Sequence, residues 1–409
     1  MESIAAIDIG STKAATVLVD VDARLNTRVV AVGTSDCRGL KRGTVVDIEE
    51  TAQAVVSSVR RGEQMANRKI GHVILSVSGD HISGQNSQGI VPIVPPARAI
   101  TREDVNRVIN HSKQIVLAPD RELIHAIPRS FRVDGQDGVS RPVGMSGDRL
   151  EVSTHLVTGQ ATHLQNLERC VNRAQIEVDH VVLSSLACGL ATLSRDEMEA
   201  GIAVVDIGGG TTDVAVYTDG NIAYTGVVPI AGAHITSDVS KLLKTTPEEA
   251  ERLKLASGSC SPENEDKDAV VAVRQSGAEG ERPFPRRVLA EIIEARMREI
   301  LIMVRGLAES SRHHRVLAAG YVLTGGGSRL SGLLPLAQRI MGDAPVRLGT
   351  PCDLGGLSDM ASGPEYSTVV GLVKYGLKMM EEETVQAEAG DWRRLFRGIT
   401  SIFGPKTKT

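Results

Sequence analysis

The chain opens on SIAAIDIGSTKAATVLVDVD, in which two apolar, β-branched runs flank a Gly-Ser-Thr turn. That pattern predicts strand, tight turn, strand. In the second half of the chain GIAVVDIGGGTTDVAVYTDG repeats it. In each copy an Asp closes the first run, a small-residue turn follows, and a second strand leads away. A recurring supersecondary unit predicts two related domains, each opening on a hairpin aimed at a shared cleft.

Between the copies, DIEETAQAVVSSVRRGEQMAN places Ile48, Ala52, Val55, Val56 and Val59 on one helical face. HVILSVSGDHISG then reads as a strand running into a Gly-rich loop. Residues 82–157 change character: Pro92, Pro95 and Pro96, a capped helix TREDVNRVINHSKQI, and the strands ELIHAIPRSFRVDG and RLEVSTHLVTG. They predict a small α+β insertion. In TTPEEAERLKLASG, Thr246 can cap a helix, Pro247 suits its first position, and Glu248 and Glu249 suit its dipole. A polar loop, SGSCSPENEDKDAVVAVRQSGAEGERPFP, precedes a long helix, RRVLAEIIEARMREILIMVRGLAESS. AAGYVLTGGGSRLSGLLPLAQRI reads as strand, Gly turn, helix. MMEEETVQAEAGD, acidic and with little to bury, is expected to be a linker.

The last segment is WRRLFRGITSIFGPKTKT. Trp392, Leu395, Phe396, Ile399, Ile402 and Phe403 fall on one helical stripe, with Arg393, Arg394 and Arg397 off it and Gly404-Pro405 as the stop. This tail holds the only Trp and two of the four Phe of the chain. Three readings compete: a helix docked on the protein's own core, a partner helix, and an in-plane membrane anchor. The purely cationic polar face beside Trp and Phe suits the headgroup region of an anionic bilayer.

At 409 residues two or more domains are expected. With 41% hydrophobic and 23% charged residues the composition is globular, and a net charge of −4 at pI about 6.2 speaks against nucleic acid as a partner. No window approaches the roughly 18 uncharged apolar residues of a spanning helix, and MESIAAIDIG lacks the basic start of a signal peptide. Cys37, Cys170, Cys188, Cys260 and Cys352 show no zinc or redox spacing, which suits a reduced, cytoplasmic compartment.

Three Gly-containing turns follow strands: DIGSTK, DIGGGTTD and LTGGGSRL. Phosphate binding needs backbone N–H groups aimed at oxygen from close range, and only Gly lets a backbone come that near. Ser11, Thr12, Gly209, Thr211 and Thr212 are candidate phosphate donors, and Lys13 adds positive charge. A carboxylate at a strand end suits water-mediated Mg2+, which makes Asp8 and Asp206 candidate groups of that kind. Each turn alone reads equally well as a hairpin; three together, two of them near-duplicates, favour the chemistry. They do not fit a Rossmann loop, which leads into a helix rather than back into a strand.

These turns resemble those of the actin/Hsp70/sugar-kinase superfamily. SVSGDHISGQNSQGIVPI, PVGMSGDRLEVSTHLVTG, VVDIGGGTTDVAVYTDG, VLTGGGSRLSGL, YSTVVGLVKYG and the tail resemble the FtsA family of bacterial cell-division proteins over essentially the whole chain. The resemblance implies an α/β, actin-like fold: two duplicated RNase H-like domains around a nucleotide cleft, with an inserted α+β subdomain called 1C. It divides the chain into 1–81, 158–195 and 346–379 (subdomain 1A), 82–157 (1C), 196–232 and 307–345 (2A), 233–306 (2B), a flexible linker at 380–391 and a membrane-targeting tail at 392–409.

Carried over residue by residue, the resemblance implies ATP and Mg2+ as ligands. Asp8, Gly10, Ser11, Thr12 and Lys13 would form the first phosphate loop. Asp206, Gly208, Gly209, Gly210, Thr211, Thr212 and Asp213 would form the second. Gly325, Gly326, Gly327 and Ser328 would support the adenosine, and Glu251 and Lys254 would contact ribose or base; their plainer reading is an exposed i,i+3 pair. Ser185 falls where filament-forming relatives carry a water-orienting carboxylate. A Ser is a poor base near neutral pH, so tight ATP binding with at most weak hydrolysis is expected.

The resemblance further implies self-association into filaments, and binding of the FtsZ C-terminal peptide on the 2B helix through Arg286 and Arg296, beside Arg287, Arg298 and Arg305. It implies recruitment of later division proteins through 1C, and a location on the cytoplasmic face of the membrane at the division site. His111, His125 and His155 are not at metal spacing and are expected to be satisfied or solvated. The rivals are a pilus-assembly-type scaffold of the same fold and a sugar-kinase-type phosphotransferase.

Overall fold

The structure, a computed structural model, describes residues 2–388 apart from 277–279, 312–316, 353 and 357. The first half begins with β1 (Glu2–Ile9), β2 (Lys13–Val21) and β3 (Thr27–Asp36), an antiparallel meander. A tight hairpin, β4 (Leu40–Lys41) and β5 (Thr44–Val45), leads to α1 (Ile48–Ala66) and then β6 (His72–Val77). Asp47 caps α1, its side chain accepting from Glu50 N. The insertion follows: β7 (Ser83–Pro92), α2 (Arg102–Ser112), β8 (Arg121–Val133), β9 (Gln136–Val139) and β10 (Arg149–Gln160). The chain returns through α3 (Ala161–Asn172), β11 (Glu177–Leu183), α4 (Ser184–Thr192) and α5 (Arg195–Ala200).

The second half starts with β12 (Ile202–Ile207), β13 (Thr212–Thr218) and β14 (Asn221–Val228), again an antiparallel meander. Then come α6 (Gly232–Leu243), α7 (Pro247–Ser257), β15 (Val270–Arg274), β16 (Glu281–Pro285) and α8 (Arg286–Ser310). β17 (Gly320–Thr324), α9 (Leu333–Met341), β18 (Val346–Leu348) and β19 (Gly355–Gly356) precede the last helix, α10 (Ser367–Glu388).

The duplication read in the sequence is a duplication of sheets. One has the order β11-β6-β1-β2-β3-β19 and the other β14-β13-β12-β17-β18. In both, three antiparallel strands are extended by strands parallel to the first: β6 and β11 in one, β17 and β18 in the other. Every residue of β12 and β13 is buried, as expected for strands covered on both faces. Ile7, Leu75 and Val55 pack on one face of the first sheet, and Ala6, Val17 and Val370 on the other. α6, α8 and α9 cover one face of the second sheet, around Val205, Ile235, Ile293 and Leu336. The insertion has its own sheet, β7-β10-β8-β9, and a small core under α2 built on Val108, Leu150 and Val152.

Two expectations about elements change. The stretch from residue 380, expected as linker, is helical as far as Glu388. Glu, Gln, Met and Ala are good helix formers, and the first strong breaker is Gly390. The polar loop before α8 contains the hairpin β15/β16. VVAVR alternates, with Val271 and Val273 buried between exposed neighbours, so the period-two signal lay inside a stretch otherwise dominated by polar residues. The tail at 392–409 lies outside the described residues.

Candidate functional site

The two hairpin turns are built alike. Gly10 N donates to Lys13 O at 2.9 Å, and Gly208 N donates to Thr211 O at 3.0 Å. They face each other across the cleft between the halves. A Cβ on Gly209 would meet Thr12 at 2.6 Å, and one on Gly210 would meet Ser11 Oγ at 2.2 Å. Glycine is required there by the closeness of the opposite turn rather than by backbone angles. The third turn closes the cleft: Gly325 has φ +81°, and a Cβ there would meet Asp206 Oδ1 at 2.2 Å.

The cleft has two lobes. The first is lined by Asp8, by Gly10, Ser11, Thr12 and Lys13, by Asp206, Gly208, Gly209, Gly210 and Thr211, and by Gly325 and Gly326. The second shares Thr12, Lys13, Gly208, Gly209 and Gly326 and adds Glu251, Lys254 and Gly327. The structure therefore brings nearly all the expected residues together from four distant segments. Two turn away. Thr212 Oγ1 donates to Ile230 O at 2.9 Å, because its place on a fully buried strand points it into the sheet. Ser328, also buried, donates to Gly325 O at 2.7 Å and so stiffens the third turn instead of lining the cleft.

Ser185 is also displaced from its expected role. It is 2% exposed and absent from the lining; Ser184 borders the cleft instead, its hydroxyl donating to Val77 O at 3.0 Å. The helix α4 begins at that point, so a one-residue difference in register rotates the side chain by about 100°. Arg286 and Arg296 lie away from the cleft on α8. Arg286 pairs with Glu265 at 2.9 Å, and Arg296 with Asp238 at 2.6 Å.

Glu251 and Lys254 are not a solvated pair. Lys254 Nζ lies 2.7 Å from Glu251 Oε2 and donates to Thr236 Oγ1 at 2.9 Å and to Gly232 O at 3.2 Å, with only 11% of its side chain exposed. The pair is pinned to the start of α6, which is itself tied to the second turn by Ala233 N donating to Gly209 O at 2.8 Å. Lys13 Nζ donates to Glu365 O at 3.1 Å and sits 3.8 Å above the Tyr366 ring. Burial lowers its pKa.

Three buried carboxyls converge on the first lobe. Asp8 accepts from Ser76 Oγ at 2.6 Å; burial, with the nearby charge of Asp206, raises its pKa to about 6. Asp206 Oδ2 accepts from Cys188 Sγ at 3.1 Å and Thr368 Oγ1 at 3.0 Å, and burial raises its pKa as well. Asp213 accepts from Ser78 Oγ at 2.6 Å and Thr211 Oγ1 at 3.0 Å; burial and the charge of Asp206 push it up to about 7. Mutually repelling acids beside clustered N–H groups suit a cation held together with an anion. Among the described residues no three His, Cys, Asp or Glu side chains are placed to ligate a metal directly.

Sequence reasoning missed Ser76, Ser78, Cys188 and Thr368. Ser76 and Ser78 follow from the strand-end motif SVSGD, a signal present in the chain. Cys188 and Thr368 come from helices and carry no local signal.

A duplicated mixed sheet whose paired glycine turns meet across a cleft defines an actin-like α/β protein. Solved structures share the fold: the PilM–PilN type IV pilus biogenesis complex (TM-score 0.65, 16% identity, 91% of this chain and 98% of that one). So does MreB5 of Spiroplasma citri bound to AMPPNP (TM-score 0.57, 14% identity, 95% and 99%). The family model for "Cell division protein FtsA" matches residues 203–371, and that for "SHS2 domain inserted in FTSA" matches 79–158. Cell division protein FtsA of Neisseria meningitidis is 39% identical over 95% of this chain and 93% of its own length. Those of Pseudomonas aeruginosa and Escherichia coli K12 are each 37% identical over 95% of this chain, covering 92% and 95% of theirs. The chain belongs to the FtsA family of cell-division proteins.

Proposed function

We propose that this protein is an ATP-binding, actin-like scaffold that assembles into filaments and ties FtsZ filaments to the cytoplasmic membrane through its amphipathic C-terminal segment. The observation that carries the nucleotide part is the meeting of two near-identical Gly turns over buried Asp8 and Asp206. The turns would hold phosphates by backbone N–H groups and the hydroxyls of Ser11, Thr12 and Thr211. The acids would hold Mg2+ through water. Glu251, Lys254 and Gly327 line the lobe suited to ribose and base. The nucleotide is a conformational ligand: it bridges turns from both halves and so favours the closed state by differential affinity.

Hydrolysis is at most weak. With Ser185 out of the cleft, the group suited to activate water is Asp213, a carboxyl near neutrality that its two hydroxyl donors partly occupy. The recruiting surface for later division proteins is the insertion. The FtsZ C-terminal peptide would meet β15 and the start of α8, where Val270 and Val288 are exposed beside Arg286.

The membrane reading rests on the stripe from Trp392 to Phe403 and its flanking arginines. About twelve residues anchor weakly, so several copies in one filament would be needed for firm attachment. No described helix is long and apolar enough to cross a membrane. Co-sedimentation with anionic vesicles tests this: the intact chain should pellet more strongly with ATP, and a chain ending at Gly390 should stay in solution. Equal pelleting of both sinks the anchor.

A further inference from the structure

A second concave surface lies away from the cleft, where the insertion meets the first half. Its walls are β8 (Leu123, Ile124, Ile127), the floor is α4 (Leu186, Leu190), and the far side is α10. These apolar side chains are all only half-buried. From α10 the groove takes Tyr375, Lys378, Met379 and Glu382, spaced i, i+3, i+4 and i+7, so one whole face of that helix borders it. The rim carries the acids Glu122, Asp179 and Glu382 together with the bases Lys113 and Lys378. Glu122 Oε2 is buried there without a hydrogen-bond partner, an arrangement that costs free energy unless a donor arrives.

The chain itself supplies a fitting occupant. α10 is described as far as Glu388, less than two turns beyond Glu382. Residues 389–391 include Gly390 and are long enough to reverse direction, since helical hairpins use loops of about 2–5 residues. A helix over 392–403 would run about 18 Å back along α10. That length would bring Ile399, Ile402 and Phe403 level with the stretch from Glu382 to Tyr375. On that register Arg397 would fall level with the turn just beyond Glu382, within reach of that acid.

We propose that the groove between β8, α4 and α10 is a seat for the protein's own C-terminal segment, residues 392–403, which it occupies when no membrane is present. The seat rests on the groove and the stripe alone. The consequence, that seat and bilayer compete for one apolar face, also uses the membrane reading above. Because the groove joins the insertion to the first half, filling or emptying it would report membrane engagement to the insertion.

The single tryptophan makes the test direct. In the full chain carrying Trp392→Phe and Phe403→Trp, the indole should emit at blue-shifted wavelength and resist acrylamide without vesicles, independently of protein concentration. Adding Glu122→Lys and Met379→Lys, both outside the core, should shift emission to that of an exposed indole while leaving the melting temperature and nucleotide affinity unchanged. If the seat is filled nine-tenths of the time, the same pair should tighten binding to anionic vesicles about tenfold. An exposed indole in the starting protein overturns the proposal. So does a buried one that ignores the groove substitutions, or one whose burial depends on concentration, which would place it on a second copy. Failure of vesicle binding alone, with the fluorescence changes intact, removes the anchor and leaves the seat.

Discussion

Asp213 shows how much one residue depends on its surroundings. In sequence it is one of several polar positions in a Gly-rich turn. In the fold it is 3% exposed, borders the first lobe, and is held by Ser78 and Thr211 with a pKa pushed up to about 7. Asp213→Asn keeps the shape and removes the base. Turnover should fall at least tenfold with nucleotide affinity within about threefold, since general-base groups contribute roughly 10²–10⁴ in rate. Wild-type turnover should rise with pH through 7 and the variant's should not; single-turnover assays from pH 6 to 8 read both. Equal rates would assign water activation to another group. The histidines are the opposite case. His125 Nε2 accepts from Leu183 N at 3.0 Å and His111 Nδ1 from Ile90 N at 3.1 Å, so the expectation of satisfied rings matches what they do.

Between elements, the insertion is joined to the second half by polar contacts. His155 on β10 reaches Asn86 at 2.7 Å and Thr225 on β14 at 3.0 Å, while Asn86 Nδ2 donates to Ala223 O at 3.2 Å. His155 is 1% exposed, and burial lowers its pKa to about 4, so it stays neutral across physiological pH. His155→Ala leaves Thr225 without this partner in a buried joint, a loss of about 1–3 kcal/mol. Amide exchange in β7 and β14 should speed up while nucleotide affinity is unchanged. Unaltered exchange there would mean that the joint is held by packing alone. Most elements were legible because hydrophobic period reports them locally. The far end of α10 is not legible from composition, because its acidic residues argue for a linker while their helix propensity runs the other way. The β15/β16 hairpin was missed because two buried valines were outweighed by their polar surroundings.

For the whole molecule, the acids of the cleft set a pH dependence. Asp8 and Asp213 hold protons in the folded protein where an ordinary carboxyl of pKa 3.8 has lost them, with values raised to about 6 and about 7. The stability this contributes is complete below 3.8 and is lost as pH rises through 6 and 7. A bound cation offsets the repulsion that appears when they ionise. The rise in melting temperature caused by Mg2+ and ATP should therefore grow from pH 5.5 to 8, as thermal melts with and without the ligands would show. A rise that shrinks with pH would mean that these acids do not face the cation.

Local patterning alone determined the duplicated hairpins, the insertion, the three Gly turns and the apolar stripe of the tail, because each is written in neighbouring residues whose period or backbone freedom carries the signal. Tertiary structure alone decided which side chains share the cleft. It turned Thr212 and Ser328 inward, exchanged Ser185 for Ser184, and brought Cys188 and Thr368 onto Asp206. It also made a groove beside α10 from three segments far apart in the chain. Rotation about a helix and proximity between distant strands follow from packing the whole core, and no short stretch of sequence encodes them.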